Sequence, residues 1–497
     1  MASVAGPAGT SPTASPAGAG GELPRRLRVG YASGSLVTGA FGTVPGLLLL
    51  PYLTDTLGLA AGLAGLLVLL PKAWDVLVNP VAGRLSDRTR TRWGARRPYL
   101  LGAGFALAIL FASIFAGVFK GGAGAVWVCV AFLATATAFA FFQVPYVAMP
   151  AEMTEGVQLT DPYGERTRMM TWRVAFLALT ILVSGALAPI VVDAFGGGIP
   201  GFRAMGVFVA LIMIIGTVSV FHYTRDAPTG VVVEAEASLR AQVRIAVQNR
   251  PFRVLVACFV VQAAGVGAML AGVQYFADHV LHDHSATTLL FICVVGPAIL
   301  VMPAWNRVGV RVGKLRGYVA ASLMLTVGTF ALVLAPWLPV GAVYGLVALI
   351  GCGYAGQQLF GLAMLPDCIA YDTARTGRRQ AGVFTGLWTA GETLGLAVGP
   401  YIFGQTLGIF GYVSSTTGEA APQTPTAELG VLLGFTVVPG VVVALALLFL
   451  RTYDLSAERR APRRPDHPRP AGALNPRPAL IAPTPGVKVT ILGRVSP

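Results

Sequence analysis

The fold of this chain is decided by one stretch of sequence, Ala60-Ala-Gly-Leu-Ala-Gly-Leu-Leu-Val-Leu-Leu-Pro-Lys-Ala-Trp-Asp-Val-Leu-Val-Asn-Pro-Val-Ala82. An apolar run of about 20 residues is long enough to cross a bilayer as a helix. Lys72 and Asp75 lie near its middle, at a depth where one charge costs about 2.5–3.5 kcal/mol. Three positions apart on a helix, they share a face and can pair. We predict a membrane-spanning helix whose buried charges have a function.

The composition supports a membrane protein. Of 497 residues, 55% are hydrophobic and 12% are charged, against about 25% charged in soluble domains. The net charge of +14 does not indicate nucleic acid, because the basic residues cluster in alternate loops and in the two tails. The five cysteines have no metal-ligand spacing, so we expect free thiols, no metal site and no cofactor.

The sequence contains twelve apolar spans, and we predict an all-α integral membrane protein with two six-helix bundles. The spans lie at about 30–52, 60–82, 98–119, 125–149, 169–192, 202–222, 252–277, 287–304, 317–337, 340–364, 381–409 and 428–450. Arginines and lysines flank the first span, the central loop and the last span, so both termini should be cytoplasmic. The predicted organisation is an N-tail (1–27), a bundle (28–222), a central loop (223–251), a second bundle (252–451) and a basic C-tail (452–497), with both tails disordered.

The two bundles carry similar basic loops in the same place. Gly83-Arg-Leu-Ser-Asp-Arg88 follows the second span, and Asn306-Arg-Val-Gly-Val-Arg311 follows the eighth. Parallel halves around a midplane site are typical of alternating-access transporters. Four residues of the first loop are therefore candidates for a gate between the bundles: Asp87, Arg88, Arg96 and Arg97. Alternatively, these arginines stabilise helix ends and contact lipid headgroups.

Several motifs resemble one known family. They are Tyr52-Leu-Thr-Asp-Thr-Leu-Gly58, Trp74-Asp-Val-Leu-Val-Asn-Pro80, Arg90-Thr-Arg-Trp-Gly-Ala-Arg-Arg-Pro98, Pro145-Tyr-Val-Ala-Met-Pro-Ala-Glu152, Glu165-Arg-Thr-Arg168 and Met364-Leu-Pro-Asp367. Together they resemble the glycoside-pentoside-hexuronide:cation symporters of the major facilitator superfamily, to which melibiose permease belongs. The resemblance covers roughly residues 28 to 450. It implies a multi-pass cell-membrane transporter that is not an enzyme.

The resemblance also implies where the coupling cation binds. The family's second span usually has two carboxylates four residues apart; Asp75 matches the first, and Asn79 replaces the second. A family lysine of the eleventh span is replaced by Thr393, and an acid of the first span by Gly39. We therefore expect Asp75, Asn79, Lys72 and Thr393 to form the coupling site.

The identity of the coupling ion is left open by the residues. A desolvated carboxylate such as Asp75 can take up a proton, since burial disfavours its charged form. If it exchanges its partner, Lys72 or Arg173, as the bundles move, its proton affinity changes with them. H⁺ is thus the first candidate and Na⁺, held by Asp75 and Asn79, the second. A purely structural Lys72–Asp75 pair is the alternative to both.

Candidate substrate contacts follow from the chemistry of sugars and from the family pattern. A sugar needs hydrogen-bond donors and acceptors together with an aromatic face, in a largely apolar pocket. The nominated side chains are Arg173, Gln143, Tyr146, Trp172, Trp388 and Glu392. Trp388 can equally be a packing residue, and the other aromatic residues can be interfacial anchors.

The loop between the seventh and eighth spans contains the cluster His279, His282 and His284 with Asp278 and Asp283. Such residues can bind zinc or sense pH, but solvated polar residues are also expected in an outer loop.

The leading functional prediction is cation-coupled symport of a sugar or glycoside, with a proton as the coupling ion. Export or facilitated diffusion of a different small or amphiphilic solute in the same fold is the alternative. The expected partners are the substrate and the lipid bilayer, without nucleic acid. One chain encloses a whole pathway, so we expect a monomer.

Overall fold

The structure is a computed structural model, and it describes residues 22–154, 159, 161–227, 244, 247–376, 381–418 and 421–453. The described residues up to Tyr453 form one compact unit. Most of the predicted N-tail, all but the first two residues of the predicted C-tail and most of the central loop lie outside the described residues.

The described chain is built from helices that run back and forth between two ends of a bundle. In chain order they are α1 (Arg25–Ala32), α2 (Ser35–Pro51), α3 (Ala61–Arg88), α4 (Arg97–Ile114), α5 (Gly121–Thr154), α6 (Pro162–Ala194), α7 (Gly198–Tyr223), α8 (Arg250–His279), α9 (Ala286–Val295), α10 (Pro297–Val312), α11 (Lys314–Ala331), α12 (Val340–Thr376), α13 (Ala381–Ile409), α14 (Pro425–Phe435) and α15 (Val437–Leu450). A π-helical turn, Tyr52–Thr56, follows α2, and a 3-10 turn, Leu332–Trp337, follows α11.

Eleven helical segments of the described chain are long and apolar enough to cross a membrane. They match the predicted spans except that at 381–409. The helix there, α13, has 29 residues, but Glu392, Gln405 and many glycines dilute its apolar content. Three predicted spans are each made of two helices, separated at Ser33–Gly34, at Gly296 and at Thr436. Proline follows the break at Gly296, where its missing N–H interrupts the helix hydrogen bonds.

The helices divide along the chain into an N-half (α1–α7) and a C-half (α8–α15). The halves meet where α2 packs against α8, α3 against α13 and α6 against α9. Glycines allow α3 and α13 to approach closely, since a Cβ on Gly404 would lie 2.6 Å from the carbonyl oxygen of Ala61. This close contact lies near the start of α3, away from Arg25 and Tyr453, and we call that end of the bundle the far end.

Hydrogen bonds between the halves concentrate at the far end. The hydroxyl groups of Thr54 and Tyr275 are 2.6 Å apart, and Tyr412 donates to Oδ1 of Asp55 at 2.9 Å. Lys120 donates to the carbonyl of Thr416 at 2.8 Å. Thr54 and Asp55 are buried, so water competes little for these bonds. The contacts close the far end in this conformation.

Candidate functional site

The charged pair of the second span lies inside the N-half. The Asp75 side chain is 5% exposed, and its Oδ1 has no hydrogen-bond partner. The ammonium of Lys72 lies 4.5 Å from the ring centroid of Phe41 on α2. No ion pair within 4.0 Å joins Lys72 to Asp75, both of which are described, so the predicted direct pairing is not made in this conformation. A buried carboxylate oxygen without a partner is costly and is available to bind a cation or a proton.

The other predicted members of the coupling site are Asn79 and Thr393. Asn79 lies one turn after Asp75 on α3, within range of its carboxylate. Thr393 lies half-buried on α13 in the C-half, and no hydrogen bond between the described residues joins it to Asp75. Gly39, where the family can carry an acid, has no room for a side chain. A Cβ there would lie 2.9 Å from the Cβ of Thr180 on α6.

Tyr146 and Arg173 meet at the break between α1 and α2. The Tyr146 hydroxyl donates to the carbonyl of Tyr31 at 3.0 Å and lies 3.1 Å from Ser35 Oγ. Its ring is fully buried and stacks on Tyr31, so the structure places Tyr146 in the packing around the broken helix. The Arg173 guanidinium lies 5.5 Å from the Tyr146 ring centroid, and its Nε is buried without a partner.

Gln143 remains a binding candidate, and Trp172 lies elsewhere. Gln143 precedes Tyr146 by one turn on α5, so the two share a helix face. The Gln143 Oε1 is buried without a partner. Trp172 lies beside the start of α1, where the guanidinium of Arg25 is 5.9 Å from its ring centroid. That contact is typical of an interfacial tryptophan.

A second polar cluster lies in the C-half around Glu392. The side chains that line one small cavity there come from α8, α12 and α13: Phe259, Gln262, Ala263, Val266, Tyr354, Gln357, Gln358, Glu392 and Leu396. Gln358 Nε2 donates to Glu392 Oε1 at 3.0 Å. Gln262 Nε2 donates to Ser322 Oγ at 2.9 Å. The three glutamines of this cavity were missed in the sequence, although amides inside apolar spans were a visible signal.

Trp388 supports this cavity without lining it. It is 2% exposed, and its ring stacks on Phe259 with centroids 4.1 Å apart. Phe259 is the aromatic side chain that faces the cavity. Of the two roles considered for Trp388, direct substrate contact and helix packing, its position here fits packing.

Two of the predicted gate residues, Arg96 and Arg97, bind within the N-half. Arg96 Nε donates to Glu152 Oε1 at 2.6 Å, and Arg96 also donates to Ser86 Oγ at 2.6 Å. Arg97 donates to the carbonyl of Phe221 at 2.8 Å. Arg88 is exposed at the end of α3. The side chain of Asp87 lies outside what the structure describes.

The histidine loop lies at the far end. His284 Nδ1 is 2.5 Å from Asp278 Oδ1, and its Nε2 is 3.1 Å from Asp193 Oδ1 on the N-half. Hydrogen bonds to Asp193 and Asp278 raise the pKa of His284 to about 10. No group of three or more His, Cys, Asp or Glu side chains that could hold a metal occurs in the described part of the chain.

Comparison with known proteins places the chain among transporters. A family model described as MFS/sugar transport protein matches residues 30–457. The chain belongs to this family of the major facilitator superfamily. The family predicted from the sequence is thereby confirmed, and the protein is a multi-pass membrane transporter and not an enzyme.

Individual relatives agree with the family. The transporter is 26% identical over 457 residues to a putative glycoside/cation symporter of Escherichia coli (strain K12), covering 88% of this chain and 94% of that protein. It is 24% identical over 430 residues to the isoprimeverose transporter of Lactiplantibacillus pentosus, covering 84% and 86%. A solved bacterial homolog of the human lysosomal transporter Spinster, in an inward-facing and unoccupied conformation, has a TM-score of 0.65 at 14% identity and covers 88% of this chain and 98% of its own. The likeness shows that the fold is of the major facilitator type.

Proposed function

We propose that the transporter carries a sugar or glycoside into the cell together with a proton, by alternating access. Relatives are named as a glycoside/cation symporter, a glucuronide carrier protein homolog and an isoprimeverose transporter, which supports a saccharide substrate and a coupling cation. In this proposal twelve helices cross the membrane, with α13 as the eleventh span. Both termini are cytoplasmic and the monomer is the working unit. A tag at either terminus that reacts with an external, membrane-impermeant reagent in intact cells would contradict this cytoplasmic orientation.

The observation that carries the proton proposal is the unpartnered carboxylate oxygen of Asp75. Sodium is bound best by several oxygens in a cage, and the family's second carboxylate is Asn79 here. A proton needs only one oxygen. Lys72 shares a helix face with Asp75, and it contacts the ring of Phe41 in this conformation. We propose that Asp75 is protonated in one state of the cycle and paired in the other.

For the substrate, we propose Arg173, Gln143 and Glu392 as direct contacts. The first two have buried polar atoms that lack partners, and Glu392 lines the C-half cavity. Arg173 offers a donor for an anionic or hydroxyl group, and the other two offer acceptors. We propose that Tyr146 holds the broken helix α1–α2 in position and that Trp388 holds Phe259 in position.

The test uses purified protein in liposomes that contain a pH-sensitive dye. Sugars, glycosides and uronates are added outside, and we expect lumen acidification that depends on one of them. Asp75→Asn should abolish acidification and accumulation against a gradient, while exchange of substrate across the membrane continues. Accumulation by Asp75→Asn equal to that of the wild type would refute coupling through Asp75.

A second candidate is transport of a different small or amphiphilic solute by export or facilitated diffusion. The observation that favours it is the loss of the family acids at Gly39 and Asn79. Absence of proton-driven and sodium-driven uptake for every sugar tested would favour this candidate over sugar symport.

A further inference from the structure

The cavity of the C-half contains a buried amide that its protein neighbours do not satisfy. Gln262 is 1% exposed, and its Nε2 donates to Ser322 Oγ at 2.9 Å. Gln357 Nε2 donates to the same oxygen at 3.3 Å. The Oε1 of Gln262 has no partner. If the amide were turned over, its nitrogen would occupy that place, so one end of Gln262 is unpaired in either orientation.

The Glu392 carboxylate can also accept further hydrogen bonds. Gln358 Nε2 donates to Glu392 Oε1 at 3.0 Å and to the Tyr354 hydroxyl at 3.0 Å. A carboxylate can accept about four hydrogen bonds, and this single amide nitrogen is its described donor. Gln262 is buried, whereas Tyr354, Gln358 and Glu392 are half-buried. The cavity thus has a closed inner wall at Gln262 and an open side at Glu392.

The free space and its walls restrict what can bind. The space between these side chains is about the size that holds one water molecule. Phe259, Val266 and Leu396 make the rest of the wall apolar. A hydroxyl group fits this space, and because it both donates and accepts, it can satisfy Gln262 in either amide orientation. A whole sugar ring does not fit, so it would remain on the open side.

We propose that this cavity is a subsite for one hydroxyl group of the transported saccharide, bound between Gln262 and Glu392. The proposal rests on the sugar transport proposed above and adds the chemistry of recognition. The hydroxyl enters towards Gln262, and the ring lies beside Tyr354 and Gln358. Phe259, supported from behind by Trp388, covers the apolar carbon that bears the hydroxyl. Gln262 is thus a specificity-determining residue.

The experiment compares monodeoxy sugars in the wild type and in Gln262→Met, which has a similar volume and no amide. The probes are methyl β-D-glucoside, methyl β-D-xyloside and methyl β-D-glucuronide, followed by each monodeoxy analogue of the best-transported one. The readout is the concentration for half-maximal uptake into liposomes. Gln274→Met, on the same helix α8 and outside the cavity, is the matched control, and melting in detergent checks that each variant is folded.

We expect one deoxy analogue to be about tenfold weaker in the wild type, since removal of its hydroxyl leaves Gln262 unpaired. Gln262→Met should transport that analogue and its parent with equal half-saturation, while Gln274→Met keeps the wild-type difference. If Gln262→Met keeps that difference, the subsite is wrong and the cavity holds only water, although sugar transport stands. If the wild type transports none of the three glycosides, the proposed function fails and the subsite fails with it.

Discussion

The polar residues inside the two halves of the transporter differ in their chemistry. In the N-half the polar residues of the membrane interior include three charged ones, Lys72, Asp75 and Arg173, beside the amides Asn79 and Gln143. In the C-half they are mostly amides, with Gln262, Gln357 and Gln358 beside the single acid Glu392. Charged groups change their interactions when a proton binds, whereas amides keep the same hydrogen bonds at any ordinary pH. The difference supports a division of labour, with coupling in the N-half and recognition of hydroxyl groups in the C-half.

The largest expected effect, on the accumulation of sugar, separates Asp75 from Glu392. Glu392→Gln should still accumulate sugar against a gradient, because an amide oxygen can replace the carboxylate oxygen as an acceptor. Its half-saturation should rise by about tenfold, since hydrogen bonds to charged groups are stronger than neutral ones. Measured beside Asp75→Asn in the same liposomes, this variant tests the division directly. If Glu392→Gln also loses accumulation, recognition and coupling are not divided between the halves.

The next effect compares two equivalent ion pairs at the basic loops. In the N-half Arg96, just before α4, binds Glu152 at 2.6 Å with side chains 8% and 16% exposed. In the C-half Lys314, at the start of α11, binds Asp367 at 2.8 Å with side chains 46% and 33% exposed. Arg96→Met leaves a mostly buried carboxylate without its cation, so we expect a loss of about 3–5 kcal/mol. Lys314→Met should cost at most about 1 kcal/mol.

Thermal unfolding in detergent, followed for both variants at the same ionic strength, measures this comparison. Similar melting temperatures for Arg96→Met and Lys314→Met would show that the burial of the Arg96 pair has no energetic consequence.

The smallest expected effect concerns His284, which contacts Asp193 of the N-half and Asp278 of the C-half. The pKa of His284 is raised to about 10 by Asp193 and Asp278, from about 6.5 in an unfolded chain. Its stabilising contribution is therefore fully present below pH 6.5 and is lost as the pH rises through about 10. The side chains of His284 and Asp193 are 49% and 43% exposed, so solvent screening keeps the effect below about 1 kcal/mol.

His284→Gln should therefore melt slightly below the wild type at pH 6.5, and the difference should shrink towards pH 10 and in high salt. His282→Gln, in the same loop, serves as the control. A difference between His284→Gln and the wild type that does not change with pH would contradict the pairing with Asp193.

The sequence predicts the path of the chain well because apolar length is a local property. The position of Asp75 within a span follows from the residues themselves, whereas the breaks at Gly34 and Gly296 were not predicted and appear only in the structure. The C-half cavity could not be predicted in this way, since Gln262 and Gln357 come from different helices and meet only through the packing of α8 against α12. The role of Trp388 depends in the same way on Phe259. The basic loop after the eighth span was matched to the loop of the N-half in the sequence, but the ion pair between Lys314 and Asp367 emerges only from the structure.

The glycine contact between α3 and α13 has a consequence for the rate of the transport cycle. There the backbones of Ala61 and Gly404 meet directly, and one side chain, that of Gln405, reaches across to donate to the carbonyl of Gly62 at 3.0 Å. We therefore expect the barrier to opening the far end to come from the polar contacts between the halves there, which include Thr54–Tyr275, Asp55–Tyr412, Lys120–Thr416 and His284–Asp193.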